Sequence, residues 1–155
     1  MGAENVKRML RLLTIVLGVF SILWLIGSRT NHLMFVSGTS MYPTIKSGNL
    51  LVLEKQESYN VNDIVVFKNG NENYVKRIVA TGDYYYFTRV YPDESSYLLM
   101  PKNYDLSKLS KKVKFSLLGD RFWMKGDGYG SVNSENYGPI EKGQILGKVK
   151  WIIRT

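Results

Sequence analysis

Two kinds of apolar pattern meet near residue 30. From Leu12 to Ser28 (LLTIVLGVFSILWLIGS) no residue is charged, which makes roughly 25 Å of helix at about 1.5 Å per residue. That is near the lower limit for crossing a bilayer, and Met9 and Leu10 extend it if Arg11 snorkels to the headgroups. Past residue 30 the apolar runs are short and separated by turn residues. Leu50–Leu53, Asp63–Phe67, Tyr74–Ala80, Tyr84–Val90, Phe115–Leu118, Arg121–Lys125 and Ile145–Ile153 read as strands. Leu33–Val36 is either the start of a core strand or a patch that holds the chain against lipid. Asn69-Gly70-Asn71 predicts a hairpin, and Thr81-Gly82-Asp83 a turn into Tyr84–Val90. No stretch after residue 30 keeps a clean helical period, although Leu106–Lys112 has room for a turn or two. The expected fold is mostly β, an antiparallel sheet or barrel-like unit on a single N-terminal transmembrane helix.

A cleavable signal peptide would share the basic start of this chain. The apolar run is longer than the usual h-region, however, and no Ala-x-Ala-like site follows it. Trp24 also lies where an interfacial aromatic belt would sit. The segment therefore reads as an uncleaved signal anchor. Lys7, Arg8 and Arg11 precede the span and only Arg29 follows it closely, which puts the N-terminus in the cytoplasm. Residues 1–30 form the anchor in this reading, and residues 31–155 the extracytoplasmic β-rich domain.

Charge and composition narrow the chemistry. Of the net charge of +8, +5 lies beyond residue 30. Much of it sits in Lys102, Lys108, Lys111, Lys112 and Lys114, opposed locally by Asp105. This run reads as a solvated loop; no recognisable nucleic-acid fold accompanies it, so no nucleic-acid partner is expected. Cysteine is absent, which excludes disulfides, thiolate nucleophiles and cysteine-held metals. A lone histidine, His32, cannot build a metal site and reads as interfacial or structural. No metal or cofactor is expected.

Two segments carry candidate chemistry. Residues 37–45, SGTSMYPTI, place two serines and a threonine within four positions before Met41. They form either a polar turn or the seat of a nucleophile at the membrane surface. In the strand Tyr74–Ala80, side chains alternate between faces, so Tyr74, Lys76 and Ile78 share one face and Val75, Arg77 and Val79 the other. A lysine between such neighbours loses solvation, which disfavours its charged form. A neutral lysine is a usable general base for a serine. Taken alone, this segment favours the plainer reading, a lysine on the open face of a half-exposed strand.

Together these segments resemble the type I signal peptidases, membrane-bound Ser/Lys endopeptidases that remove signal sequences. SGTSMYPT at 37–44 resembles that family's nucleophile box, VNDIVVFK at 61–68 its G-D-I-V-x-F strand with Asn62 in place of Gly, and YVKRIVATGD at 74–83 its lysine box. MKGDGYGSVNSENYGPI at 124–140 is similar to a shortened final box. The resemblance covers nearly the whole chain and reverses the reading of Lys76. It implies Ser40 as nucleophile and Lys76 as general base, with the Ser40 N–H as oxyanion donor. Some relatives add a serine hydroxyl two positions before the nucleophile; here Gly38 stands there, and Ser37 or Thr39 is the substitute.

By the same resemblance Ser131 orients Lys76, and Arg77, Asp127, Asn133 and Ser134 support the site. Asn133 and Glu135 stand where the family usually has a salt-bridged Asp and Arg, and Glu135 is expected either to pair instead with Arg77 or to be a solvated loop residue. The implied substrate is the signal-peptide region of a preprotein. It carries small residues at the first and third positions before the cut, and it is added as a strand to a sheet edge. The implied location is a bacterial plasma membrane or, as the alternative, a mitochondrial inner membrane. The other class of function left open is a non-proteolytic accessory protein that binds exported substrates or assists assembly of surface structures.

Overall fold

The computed structural model describes residues 3–29, 32–90, 95–105, 107 and 114–155, without the side chains of residues 3, 6, 22–29, 32, 89, 90, 95 and 114. The chain begins with a helix, α1 (Ala3–Arg29). Among the described residues no helix is long and apolar enough to cross a membrane, so the fold itself does not supply the expected span. The second half of the apolar run, with Trp24, lies outside the described side chains, as does the side chain of His32. The basic stretch at Lys108, Lys111 and Lys112 lies outside the described residues too. Lys102 is described, and it pairs with Asp83 at 3.0 Å.

The rest is antiparallel β, as the alternation predicts. Among the described residues seven strands join in one sheet: β1 (His32–Phe35), β2 (Leu50–Glu54), β3 (Ile64–Asn69), β4 (Glu72–Val90), β5 (Ser95–Pro101), β6 (Lys114–Lys125) and β7 (Ile145–Ile153). The spatial order is β1-β2-β7-β3-β4-β5, and β6 pairs with β4. Gly70, at φ 62°, makes the predicted hairpin between β3 and β4. A four-residue helix, α2 (Ser134–Tyr137), and a 3₁₀ turn (Lys142–Gln144) precede β7.

Two expected breaks are absent. Tyr74–Ala80 and Tyr84–Val90 belong to one 19-residue strand, and Phe115–Leu118 and Arg121–Lys125 to another. Their glycines, Gly82 and Gly119, face each other across the pair with positive φ, and the register shifts on either side of them. Such bulges bend a strand without ending it. Strand β5, rich in serine at its start, escaped the sequence pattern altogether.

Strand alternation sorts the apolar residues. Leu51 and Leu53 of β2 are buried with Val36, Met41, Ile45 and Val66 under one face of the sheet. Val65, Phe67 and Ile78 pack on the other face with Tyr59, Phe122, Met124, Ile140 and Ile145. Pairing also leaves edges open. Among the described residues β1 pairs with β2 alone, and residues 72–76 of β4 with β3 alone, because β6 joins β4 from Arg77 onward.

Asn62 enters β3 at φ 75°, among the described residues the one non-glycine with positive φ. In this left-handed region Asn costs less than other side chains, which explains Asn where glycine is usual. Replacing Asn62 with Ala should cost about 1 kcal/mol, whereas Asn62→Gly should be nearly neutral. Thermal unfolding in detergent checks this; equal melting temperatures for the two variants would refute it.

Candidate active site

Three segments close around one cleft of about 410 Å³. Residues 34–40 form one wall, residues 72–76 of β4 another, and residues 129–132 the third. Ser37, Gly38, Thr39, Ser40, Lys76 and Ser131 therefore meet in space, although the sequence spreads them over 95 positions. Gly38, at φ 103°, turns the chain into the loop. The Tyr42 N–H then bonds the Thr39 carbonyl at 2.9 Å and the Ile45 N–H the Met41 carbonyl at 2.9 Å. Met41 and Ile45 are fully buried, so the loop is anchored from below while Ser40 stays half-exposed. The Tyr42–Pro43 peptide is cis.

The loop is fixed from the far side by a backbone contact. The Gly128 N–H donates to the Ser40 carbonyl at 2.9 Å. A side chain at Gly126 would overlap the Ser40 carbonyl and the Ser131 side chain, and one at Gly128 would overlap the Thr39 carbonyl. Only glycine permits this approach. Ser131 lies at the same junction, where its hydroxyl donates to the Gly128 carbonyl at 2.6 Å.

Lys76 is 1% exposed, as buried as the core residues around it. It pairs across the sheet with Val65, and burial pushes its ammonium below the ordinary lysine range. Its chain neighbour Arg77 points to the other face. There the Arg77 guanidinium grips the Asp127 carboxylate in two bonds, Nε–Oδ1 at 2.9 Å and Nη2–Oδ2 at 2.6 Å. Arg77 also donates to the Asn62 carbonyl at 3.1 Å, and Thr44 donates to Asp127 at 2.5 Å. The guanidinium holds the Asp127 carboxyl below the usual range, against burial, with help from Thr44. This fork-to-fork pair joins β4, the loop after Ser40 and the glycine segment.

The expected Arg77–Glu135 pair is therefore corrected: Asp127 occupies the guanidinium. One Glu135 carboxylate oxygen is buried with no partner. Asn133 and Ser134 hold the loop through neutral bonds, Asn133 Oδ1 accepting from the Gly126 N–H and Ser134 Oγ from the Met124 N–H, both at 2.8 Å. Thr44, Gly126 and Gly128 were given no role in the sequence reading. For Gly126 and Gly128 the available signal was the Gly-Asp-Gly run, since glycine suits a close backbone approach.

The Peptidase S24-like family model matches residues 19–120. The chain is 32% identical to the mitochondrial ATP-independent inner membrane protease subunit 1b of Arabidopsis thaliana, over 79% of this chain and 71% of that one. It is 25% identical to the mitochondrial inner membrane protease subunit 2 of Saccharomyces cerevisiae, over 97% of this chain and 84% of the relative. It is 47% identical to signal peptidase I of Bacillus caldolyticus over a shorter segment, 29% of this chain and 28% of that one. With a cleft of this construction and relatives of this kind, the chain belongs to the Peptidase S24-like family as a type I signal peptidase-like protein.

Proposed function

We propose that this protein is a membrane-bound serine endopeptidase that removes N-terminal signal peptides from preproteins with a Ser40/Lys76 dyad. The observation that carries the reading is a fully buried lysine amine in the same cleft as a half-exposed serine on a pinned loop. Neutral Lys76 takes the Ser40 proton as Oγ attacks the scissile carbonyl. The Ser40 N–H stabilises the oxyanion. Lys76 then returns the proton to the leaving amine, and a water activated by the same amine hydrolyses the acyl-enzyme. Ser131 has its own proton committed to Gly128, so toward Lys76 it acts as acceptor. That directs an amine N–H at Ser131 and the lone pair elsewhere, toward Ser40.

The substrate lies as an added strand between the open edges of β1 and β4. Apolar Met34, Val36, Leu51 and Val75 line this gap and leave room for small side chains at alternate positions. Membrane attachment combines the α1 anchor with a face of the sheet, in a bacterial plasma membrane or a mitochondrial inner membrane. Register aligns Leu33, Val52 and Trp151 in one row and Phe35, Leu50 and Ile153 in the next. Leu33, Phe35 and Trp151 are 68%, 74% and 65% exposed. Met34 and Val36 alternate inward, so only half of the Leu33–Val36 patch is available to lipid.

Ser40→Ala and Lys76→Arg should each lower cleavage of a model preprotein by at least about 10²–10⁴-fold, since Arg stays charged. Lys76→Met should do the same while raising the melting temperature, because it keeps volume and removes a buried amine. Turnover of Ser40→Ala at the wild-type rate would overturn the dyad.

The depressed Lys76 pKa gives a sign. Below it the amine is protonated and idle, so kcat/KM rises with pH and levels off once Lys76 is neutral, below the usual lysine value of about 10.4. A rate flat from mildly acidic to alkaline pH would contradict lysine as base.

A chain lacking residues 1–30 should still float with vesicles, and Leu33→Ser, Phe35→Ser and Trp151→Ser together should release it. Unchanged flotation of the triple variant would refute the lipid-facing sheet.

A further inference from the structure

Glu72, Tyr74 and Lys76 share one face of β4 along the open edge of the cleft. The Tyr74 hydroxyl donates to Glu72 Oε2 at 2.7 Å, and the Tyr74 ring is itself held by stacking on Phe67 at 5.9 Å and 23°. The carboxylate at the cleft mouth is thus positioned by a rigid phenol. Among the described residues that line the cleft, Glu72 is the one carboxylate and Lys76 the one amine. Since Lys76 works neutral, the cleft presents negative charge on a protein whose net charge is +8.

The edge fixes where that charge is felt, given the peptidase reading on which this inference rests. β6 occupies the edge of β4 from Arg77 onward, so a bound strand can run only along residues 72–76. The half of the substrate read by small-residue pockets, upstream of the cut, must lie there and run toward Lys76, parallel to β4. The pockets face Met34, Val36, Leu51 and Val75, which puts the first and third residues before the cut on the Val75 face. The second and fourth residues then fall on the opposite face, the second beside Tyr74 and the fourth beside Glu72.

We propose that Glu72 is a specificity-determining residue that selects a cationic side chain at the fourth position before the cut and disfavours an acidic one there. A cross-strand charge pair in an exposed setting changes kcat/KM about two- to fivefold per charge step. The effect is electrostatic, so salt weakens it.

The test uses the full chain in detergent and three synthetic peptides with Ala at the first and third positions before the cut. They differ only in carrying Lys, Gln or Glu at the fourth. Wild type should cleave them in the order Lys, Gln, Glu, with about a tenfold spread that shrinks in 0.5 M salt, where the Debye length falls to about 4 Å from about 8 Å at 0.15 M. Glu72→Gln should flatten the series, and Glu72→Lys should invert it. Equal cleavage of all three by wild type, or an unchanged order in Glu72→Lys, overturns the Glu72 assignment and leaves the peptidase reading standing. Cleavage of none overturns both. Moving the Lys to the fifth position should abolish its advantage, and an advantage that persists there would also overturn the assignment.

Discussion

Lys76 is buried to 1% exposure on a strand whose same-face neighbours are apolar, and the surrounding structure is organised by that burial. Desolvation favours the neutral amine, which is the form a general base needs. The same desolvation makes the position costly for stability, so the sheet must hold it against the tendency of a lysine to seek water. It does so by placing Lys76 in the ladder opposite Val65, with Ile78 and Tyr74 on the same face.

One residue along, the strand uses its other face for a different purpose. Arg77 cannot share the cleft with Lys76, because adjacent side chains diverge. Its guanidinium instead clamps Asp127, and Asp127 receives Thr44. β4 therefore presents a buried amine on one side and the brace on the other. The brace ends four residues after Ser40 and immediately before Gly128, whose N–H bonds the Ser40 carbonyl. The Arg77–Asp127 charges are thus spent on positioning the loop, while among the described residues no carboxylate forms an ion pair with the Lys76 amine.

The open edges of β1 and β4 complete the arrangement. A sheet edge normally invites unwanted pairing. Here the two edges face one cleft with the Ser40 loop between them, and under the proposed function the hazard coincides with the place where a peptide strand is held.

Local sequence determined a good deal of this. Alternation fixed the strands around residues 50–54, 64–69 and 145–153, and it separated Lys76 from Arg77 by face. The glycine signals at 70 and 82 marked turn positions, and both glycines have positive φ. They could not reveal whether a turn would reverse the chain or only bend it, because that depends on a partner strand more than thirty residues away. The same limit applies to the acid–base groups. The sequence points to Glu135 as the partner of Arg77, and nothing in composition or spacing singles out Asp127. Only the close packing of the Gly126–Gly128 backbone against the Ser40 loop brought Asp127 within bonding distance of Arg77. The burial of Lys76 was likewise undecided along the strand, since one face of a strand is wet or dry according to what folds over it, and that is a tertiary contact.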